Sequence, residues 1–202
     1  MKNTILISLI AIGLLSSFTT NTNVQVVPSL SLKNTEGETI NISSFAKNSK
    51  ITAISFWATW CGPCIKELDA INENYEDWQD DYNFELVAVS IDNSRSSSKV
   101  KPLVAGKGWD YEVLLDENKA LANAMNVSNP PTLFLVDTSG AIVYTHTGFK
   151  AGDELELEEK LKALNGIATE EKEDKHNHDH DGHDHSTKNI ILKGIRFYSL
   201  FL

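Results

Sequence analysis

The chain has 202 residues, of which 41% are hydrophobic and 23% charged, and its formal net charge is −10. This composition is ordinary for a soluble globular protein, and the length allows one sizeable domain with tails. The acidic balance argues against nucleic acid as a partner, because nucleic-acid binding needs a basic surface that replaces the phosphate counterions.

The first 23 residues have the layout of an export signal. Lys2 supplies a positive charge, and an apolar run from Ile5 to Leu15 precedes a polar stretch. The run is shorter than the roughly 20 residues that span a bilayer. We expect residues 1–23 to be a signal peptide or, because no Ala-x-Ala marks a cleavage point, an uncleaved anchor. A buried N-terminal strand is the remaining alternative.

Strands and helices are predicted to alternate between residues 24 and 165. Strands are expected in a β-rich entry at 24–48, which turns at 35–38, and at 51–57, 84–91, 111–115, 132–136 and 142–147. Helices are expected at 62–78, at 96–106 with caps among Ser94 to Ser98, at 117–125, and at 153–164 with Leu155, Leu161 and Leu164 in the core. The last two strands form a hairpin around the turn at 137–140. This order predicts an α/β fold with a mixed sheet.

The only two cysteines stand in Trp60-Cys61-Gly62-Pro63-Cys64, between a predicted strand and a predicted helix. A structural disulfide that closes so short a loop would contribute about 2 kcal/mol, against about 4.7 for a loop of a hundred residues. Reactivity is therefore the better explanation of the pair. The alternatives are an inert pair and half of a zinc site, which would lack its other cysteine ligands.

The position of the pair suits thiol chemistry. The amino end of a helix carries a partial positive charge and free N–H groups, which stabilise a thiolate. In Cys-x-x-Cys sites the thiol pKa can fall from about 8.5 to about 7. We expect Cys61 to be the exposed nucleophile and Cys64 to resolve the mixed disulfide. Pro63 fits the first helical turn, where an N–H is not needed.

The stretch from Phe56 to Cys64 resembles the active site of thioredoxin-like proteins, and more closely that of exported disulfide reductases of the TlpA/ResA type. The similarity runs from about Val27 to Leu164. It implies a thioredoxin-like fold, in which a central sheet is flanked by helices and carries an N-terminal β extension. It also implies a cis-proline at Pro131, facing the cysteines, and a membrane-linked electron donor. Client proteins are expected to contact Trp60, Gly62, Pro63, Pro130 and Thr132.

Glu67 follows Cys64 by three residues, so helical spacing places it near the resolving thiol. It matches the acidic residue that follows the motif in the TlpA/ResA type. A desolvated carboxyl there could move a proton to or from the Cys64 sulfur; the alternative is an exposed helix glutamate. Ser55 stands where cytoplasmic thioredoxins carry a buried Asp. Pro130 has no N–H, so a docked peptide loses one donor.

The C-terminal tail has two parts. Residues 166–188 are acidic and rich in histidine, and we expect them to be disordered. The histidines could bind Zn²⁺ or Cu²⁺, or lie in a solvated linker with incidental affinity: His176, His178, His180, His183 and His185. Residues 189–202 are apolar but too short to span a bilayer, and could lie on a membrane surface, dock on a partner or have no role. The sixth histidine, His146, is expected to be structural.

Three functions remain open. The first is an exported disulfide reductase of the periplasm or cell envelope, either free or attached to the membrane, that acts on disulfide-containing exported proteins and needs no cofactor beyond its own disulfide. The second is a copper- or zinc-handling protein that uses the cysteine pair and the histidine-rich tail. The third is a peroxidase, because thioredoxin-fold peroxidases carry a Thr shortly before their Cys, as Thr59 precedes Cys61.

Overall fold

A computed structural model describes residues 24–166. The expected signal segment, the histidine-rich tail beyond Gly166 and the apolar C-terminal segment lie outside the described residues. Between residues 24 and 166, no helix combines the length and the apolar character that crossing a membrane requires.

Seven strands form a single mixed sheet. They are β1 (Ser31–Asn34), β2 (Thr39–Asn41), β3 (Ile51–Trp57), β4 (Phe84–Ser90), β5 (Glu112–Leu115), β6 (Thr132–Val136) and β7 (Ile142–Thr147), in the spatial order β2-β1-β5-β4-β3-β6-β7. The pairs β3–β4 and β4–β5 are parallel, and the other pairs are antiparallel. All seven residues of β3 are buried, which explains its nearly continuous run of apolar and small side chains.

Within residues 24–166, five α-helices flank the sheet. They are α1 (Gly62–Glu73), α2 (Tyr75–Tyr82), α3 (Val100–Lys107), α4 (Ala120–Ala124) and α5 (Asp153–Leu164), with short 3₁₀ helices at Ile42–Lys47 and Ser97–Lys99. Helices α1, α2 and α5 pack against one another. The architecture is the predicted α/β arrangement, and β1 and β2 form its N-terminal β extension. Strands β3, β6 and β7 and helix α5 have their predicted bounds.

The prediction of one helix over residues 62–78 is wrong. The helix ends at Asn74, where φ is −112° and ψ is 3°, and a second helix begins at Tyr75. The Asn74 side chain donates to the Ala70 carbonyl at 2.9 Å. Asparagine favours such an ending because its side chain competes with the backbone for hydrogen bonds.

The predicted helices at 96–106 and 117–125 are shorter than expected. The first becomes α-helical only at Val100, and no serine side chain caps it. Asn93 instead accepts the Arg95 N–H at 3.0 Å. The second is limited to Ala120–Ala124, because the Asp116 carboxylate accepts the N–H groups of Leu121 and Ala122 and so fixes its start.

Helix α5 buries a different set of leucines from the predicted one. Leu155 is 61% exposed and Leu164 is also exposed, so their placement in the core is wrong. Leu157 is 4% exposed, and the correctly predicted Leu161 is fully buried. Since residues four apart lie on one side of a helix, Leu157 and Leu161 form the stripe that faces the core. A 3₁₀ helix at 42–47 also replaces part of the expected β-rich entry.

Candidate active site

The two cysteines lie where β3 passes into α1. The chain leaves β3 at Trp57 and turns, and the Cys61 N–H donates to the Ala58 carbonyl at 3.0 Å. Cys61 is the N-cap residue of α1, and its sulfur accepts the Cys64 N–H at 3.3 Å. Pro63 occupies the first turn, as predicted. The Cys64 N–H and the helix dipole therefore both favour negative charge on the Cys61 sulfur. In this structure the two sulfurs form a disulfide.

The two sulfurs differ in access. Cys61 is 6% exposed and so counts as buried, which contradicts the expectation of an exposed Cys61; Cys64 is 0% exposed, and the neighbouring Trp60 is 65% exposed. Gly62 and Pro63 are also exposed, and a Cβ added at Gly62 would lie more than 4 Å from every atom other than those of its chain neighbours and the backbone of its own helix. The exposed residues Trp60, Gly62 and Pro63 therefore surround the slightly exposed Cys61, whereas Cys64 is covered by the protein.

The Pro130–Pro131 peptide bond is cis, as expected. Strand β6 pairs with β3 so that Thr132 lies opposite Phe56, which brings Pro131 to the end of β3 from which the cysteine turn departs. Pro131 is buried and Pro130 is half-buried. The buried Thr132 hydroxyl donates to the Asn129 carbonyl at 2.7 Å, so this side chain holds its own loop.

Glu67 lies on the same buried face of α1 as Cys64 and is only 3% exposed, so the exposed alternative is wrong. Its Oε2 accepts a hydrogen bond from the Ser55 hydroxyl at 2.6 Å. Burial raises the pKa of Glu67 from the ordinary 4.5 to about 7, the Ser55 bond opposes this, and the charge of Asp153 adds to it. The carboxyl can therefore exchange a proton near neutral pH.

A cavity of about 20 Å³ lies beside Glu67, with room for about one water molecule. Its lining joins α1 to β6, β7, α5 and the loop before α5: Glu67, Ile71, Leu133, Tyr144, His146, Phe149, Asp153, Glu154 and Leu157. His146 Nε2 lies 3.2 Å from Asp153 Oδ2, and its Nδ1 lies 3.3 Å from the Tyr144 hydroxyl. The contact with Asp153 links β7 to α5, which agrees with a structural role for His146.

Sequence reasoning missed Asp92, which follows β4 and is 1% exposed. Its carboxylate accepts the backbone N–H of Thr59 at 2.7 Å and the Thr59 hydroxyl at 2.8 Å. Thr59 and Asp92 are 33 residues apart, so no local pattern connects them. Parallel pairing of β3 with β4 was the available signal, because it brings the carboxyl ends of both strands to one edge of the sheet.

Within residues 24–166, no group of three or more His, Cys, Asp and Glu side chains is placed to hold a metal ion. The zinc alternative for the cysteine pair thus finds no further ligands in the described part of the chain. The five tail histidines that could bind metal lie outside it.

Comparisons with known proteins identify a family and relatives of this chain. Residues 24–145 match the AhpC/TSA family. ResA of Bacillus subtilis (strain 168), a thiol-disulfide oxidoreductase, is 31% identical over 60% of this chain and 65% of its own length. The thioredoxin-like protein YneN of the same strain is 31% identical over 65% of this chain and 75% of its own.

A solved structure gives the same result for the fold. The solution structure of an uncharacterized thioredoxin-like protein from Porphyromonas gingivalis superposes with a TM-score of 0.63 and 49% identity, covering 71% of this chain and 94% of that one. The predicted thioredoxin-like fold is thereby confirmed. By its matched residues and its fold, the chain belongs to the AhpC/TSA family of thioredoxin-like proteins.

Proposed function

We propose that this chain, a thiol–disulfide oxidoreductase, reduces disulfides in exported proteins. The observation that carries the proposal is the position of Cys61 as the N-cap of α1, slightly exposed beside the exposed Trp60, next to a fully buried Cys64. The Cys61 thiolate attacks one sulfur of a client disulfide, and the other client sulfur leaves as a thiolate. Cys64 then attacks the Cys61 sulfur, which releases the reduced client and forms the Cys61–Cys64 disulfide.

Glu67 supports the second step. The Cys64 thiol must lose its proton before it attacks, and burial denies it direct exchange with solvent. Glu67 lies on the same buried face of α1, and a carboxyl with a pKa of about 7 accepts a proton at neutral pH and returns it later. Two electrons from a membrane-linked donor and two protons, one of which Glu67 returns to the Cys64 sulfur, then restore the dithiol.

Reduction in an exported location is favoured by two features of the sequence. Gly62-Pro63 between the cysteines resembles reducing thioredoxins rather than strong oxidants. The apolar run near the N-terminus is typical of a signal peptide or anchor, and disulfides persist in the compartments that such segments lead to. The potential of the pair against that of the compartment decides the direction.

A turnover assay on a model protein disulfide, with the full chain, tests the proposal. The reduced wild type should cleave the substrate, Cys61→Ser should be inactive, and Cys64→Ser should accumulate a mixed disulfide through Cys61. Inactivity of the reduced wild type, or undiminished activity of Cys61→Ser, would contradict it. Trapping with Cys64→Ser in the native envelope would also identify the client.

Metal handling is the second candidate, and the histidine run favours it. Imidazole and carboxylate groups bind Zn²⁺ and Cu²⁺. The test compares metal titrations of the full chain with those of a chain truncated after Asn165. If truncation leaves the metal affinity and the delivery of metal to a client protein unchanged, the tail has no role in metal handling.

The peroxidase candidate is weaker. The Thr59 hydroxyl donates to Asp92 Oδ1 at 2.8 Å, so its hydrogen is already used in the described structure. We expect no direct consumption of peroxide by the reduced chain. Turnover of hydrogen peroxide that depends on Cys61 would overturn this expectation.

A further inference from the structure

We infer that Asp92 is a positioning residue for thiol–disulfide exchange, acting through Thr59 to fix the turn that presents Cys61. The inference deepens the proposed function and rests on it, because it concerns the same nucleophile. Asp92 itself is buried, so its effect on the reaction would pass through the turn.

The hydrogen bonds define a clamp. Asp92 Oδ2 accepts the Thr59 backbone N–H at 2.7 Å, and Oδ1 accepts the Thr59 hydroxyl at 2.8 Å. Because one carboxylate holds both the main chain and the side chain of Thr59, neither can rotate without losing a bond. The Ser90 hydroxyl donates to Oδ2 at 3.0 Å and so holds the carboxylate in place.

The sheet fixes the clamp relative to the cysteines. Trp57 and Ser90 are paired at the ends of β3 and β4, and the Ile91 N–H donates to the Trp57 carbonyl at 2.8 Å. The backbone immediately before Asp92 is therefore hydrogen-bonded to the end of β3. A buried carboxylate with three donors is well satisfied, whereas removing it would leave the Thr59 N–H without its acceptor.

The clamp lies inside the turn that ends at the nucleophile. The Cys61 N–H donates to the Ala58 carbonyl, which closes a turn with Thr59 and Trp60 in its middle. The Cys61 sulfur accepts the Cys64 N–H only while Cys61 keeps its N-cap position. Release of Thr59 would loosen this turn, weaken the stabilisation of the thiolate and misalign the sulfur for attack.

Asp116 shows what a similar carboxylate does elsewhere. It follows β5 as Asp92 follows β4, it is also 1% exposed, and it accepts backbone N–H groups. Those groups belong to Leu121 and Ala122 at the start of α4, so Asp116 holds a helix rather than the cysteine turn. Asp116→Ala is therefore the matched control for the loss of a buried, hydrogen-bonded carboxylate.

The test is the pH dependence of Cys61 alkylation by iodoacetamide in the reduced full chain, with the modified residue identified by mass spectrometry. Asp92→Ala should slow the alkylation at pH 7 by about tenfold, because loss of the N-cap stabilisation would return the thiol pKa of Cys61 from about 7 toward about 8.5 and so reduce the thiolate fraction. Asp92→Asn should restore most of the rate, since an amide oxygen can accept the Thr59 N–H while the Thr59 hydroxyl accepts from the amide nitrogen.

Controls separate positioning from stability. Asp116→Ala should lower the free energy of unfolding and leave the alkylation profile unchanged. Three outcomes would overturn the inference. Asp92→Ala could keep the wild-type alkylation profile, Asp116→Ala could change it as much as Asp92→Ala does, or Asp92→Asn could give the same profile as Asp92→Ala. If Asp92→Ala does not fold, a second pair of variants decides. Thr59→Val removes the hydroxyl that donates to Asp92 and should slow the alkylation of Cys61, whereas Thr59→Ser keeps a hydroxyl and should not.

Alkylation needs no client, so its outcome is independent of the turnover assay. If the reduced chain shows no reductase activity but gives the expected alkylation profiles, the proposed function is contradicted and the positioning role of Asp92 is supported. The reverse pattern would keep the function and remove Asp92 from it.

Discussion

Two of the three carboxylates that line the small cavity have opposite properties. Glu67, on α1, is almost fully buried and accepts one hydrogen bond, from Ser55; burial raises its pKa to about 7. Asp153, at the start of α5, accepts the Lys150 N–H at 2.9 Å and contacts His146 at 3.2 Å. The hydrogen bond from Lys150, followed by the effect of His146, lowers the pKa of Asp153.

The difference shows that the supply of donors decides what a carboxylate near a catalytic thiol can do. Where donors are few and water is excluded, the neutral form is favoured and the group can carry a proton at pH 7. Where donors are sufficient, the group stays a fixed charge. Asp153 then acts on its neighbour, since its charge adds to the raised pKa of Glu67.

The largest expected effect comes from Leu157→Ala, which enlarges the cavity between the two carboxylates. Loss of this buried side chain should lower the free energy of unfolding by about 2–5 kcal/mol. Water that enters should bring the pKa of Glu67 down toward 4.5, because its burial is reduced. Urea unfolding and a carboxyl titration by NMR measure the two effects. The exposed Leu155→Ala is the control and should change stability by less than about 0.5 kcal/mol.

Glu67→Gln should remove the pH dependence that the buried carboxyl creates. The folded-state pKa is raised, so the unfolded chain loses this proton from about pH 4.5 while the folded protein holds it until about pH 7. The contribution of Glu67 to the free energy of unfolding of the wild type therefore falls as the pH rises from about 4.5 to about 7. At pH 8 the variant should be roughly 3 kcal/mol more stable than the wild type, with no gain near pH 4.

Urea unfolding of the oxidised chain at both pH values measures this difference, with Glu76→Gln on the exposed face of α2 as the control. An equal gain at pH 4 and pH 8 would mean better packing rather than lost ionisation. In the reductase assay, Glu67→Gln should lower the rate by about a hundredfold or more and lose the inflection near pH 7.

A smaller effect is expected for Ser55→Ala, which removes the one hydrogen bond to Glu67. The pKa of Glu67 should rise further, because the Ser55 bond opposes the effect of burial. Stability at pH 8 should fall by about 1 kcal/mol, the usual contribution of one hydrogen bond. Titration of the Glu67 carboxyl by NMR checks the direction, and a fall in its pKa would contradict the assignment of Ser55 as the donor.

Asp153→Asn should have the smallest effect. Removal of its charge should lower the pKa of Glu67, and the reductase pH profile should move to lower pH. The folded-state pKa of Asp153 is itself lowered, so its stabilising contribution is present above its unfolded pKa and is lost on acidification. At neutral pH the variant should lose about 0.3–1 kcal/mol, as for an acidic residue in the first turn of a helix. An unchanged pKa of Glu67 in this variant would show that the charge of Asp153 does not act on Glu67.

Local patterns predicted much of this molecule. The apolar runs of β3, β6 and β7 and the bounds of α5 were readable because each depends on neighbours in sequence. The cysteine pair and Glu67 were readable for the same reason, since one helical turn relates them. The break at Asn74 was missed because helical periodicity continues across it, with Ile71 and Tyr75 both buried.

Other features depend on contacts between distant residues. The bond between Thr59 and Asp92 spans 33 residues and exists only because β3 and β4 are parallel neighbours. The choice of Leu157 over Leu155 as a core residue depends on how α5 packs on α1 and α2.

The exposure of Trp60 gives the site a built-in optical reporter. All four indoles lie in the described residues; those of Trp57, Trp78 and Trp109 are buried, whereas that of Trp60 is in solvent immediately before the reactive sulfur. A protein that docks over Cys61 would cover this one chromophore and leave the other three in their existing surroundings. Quenching and wavelength changes on complex formation can therefore be assigned to a single position, without any attached dye.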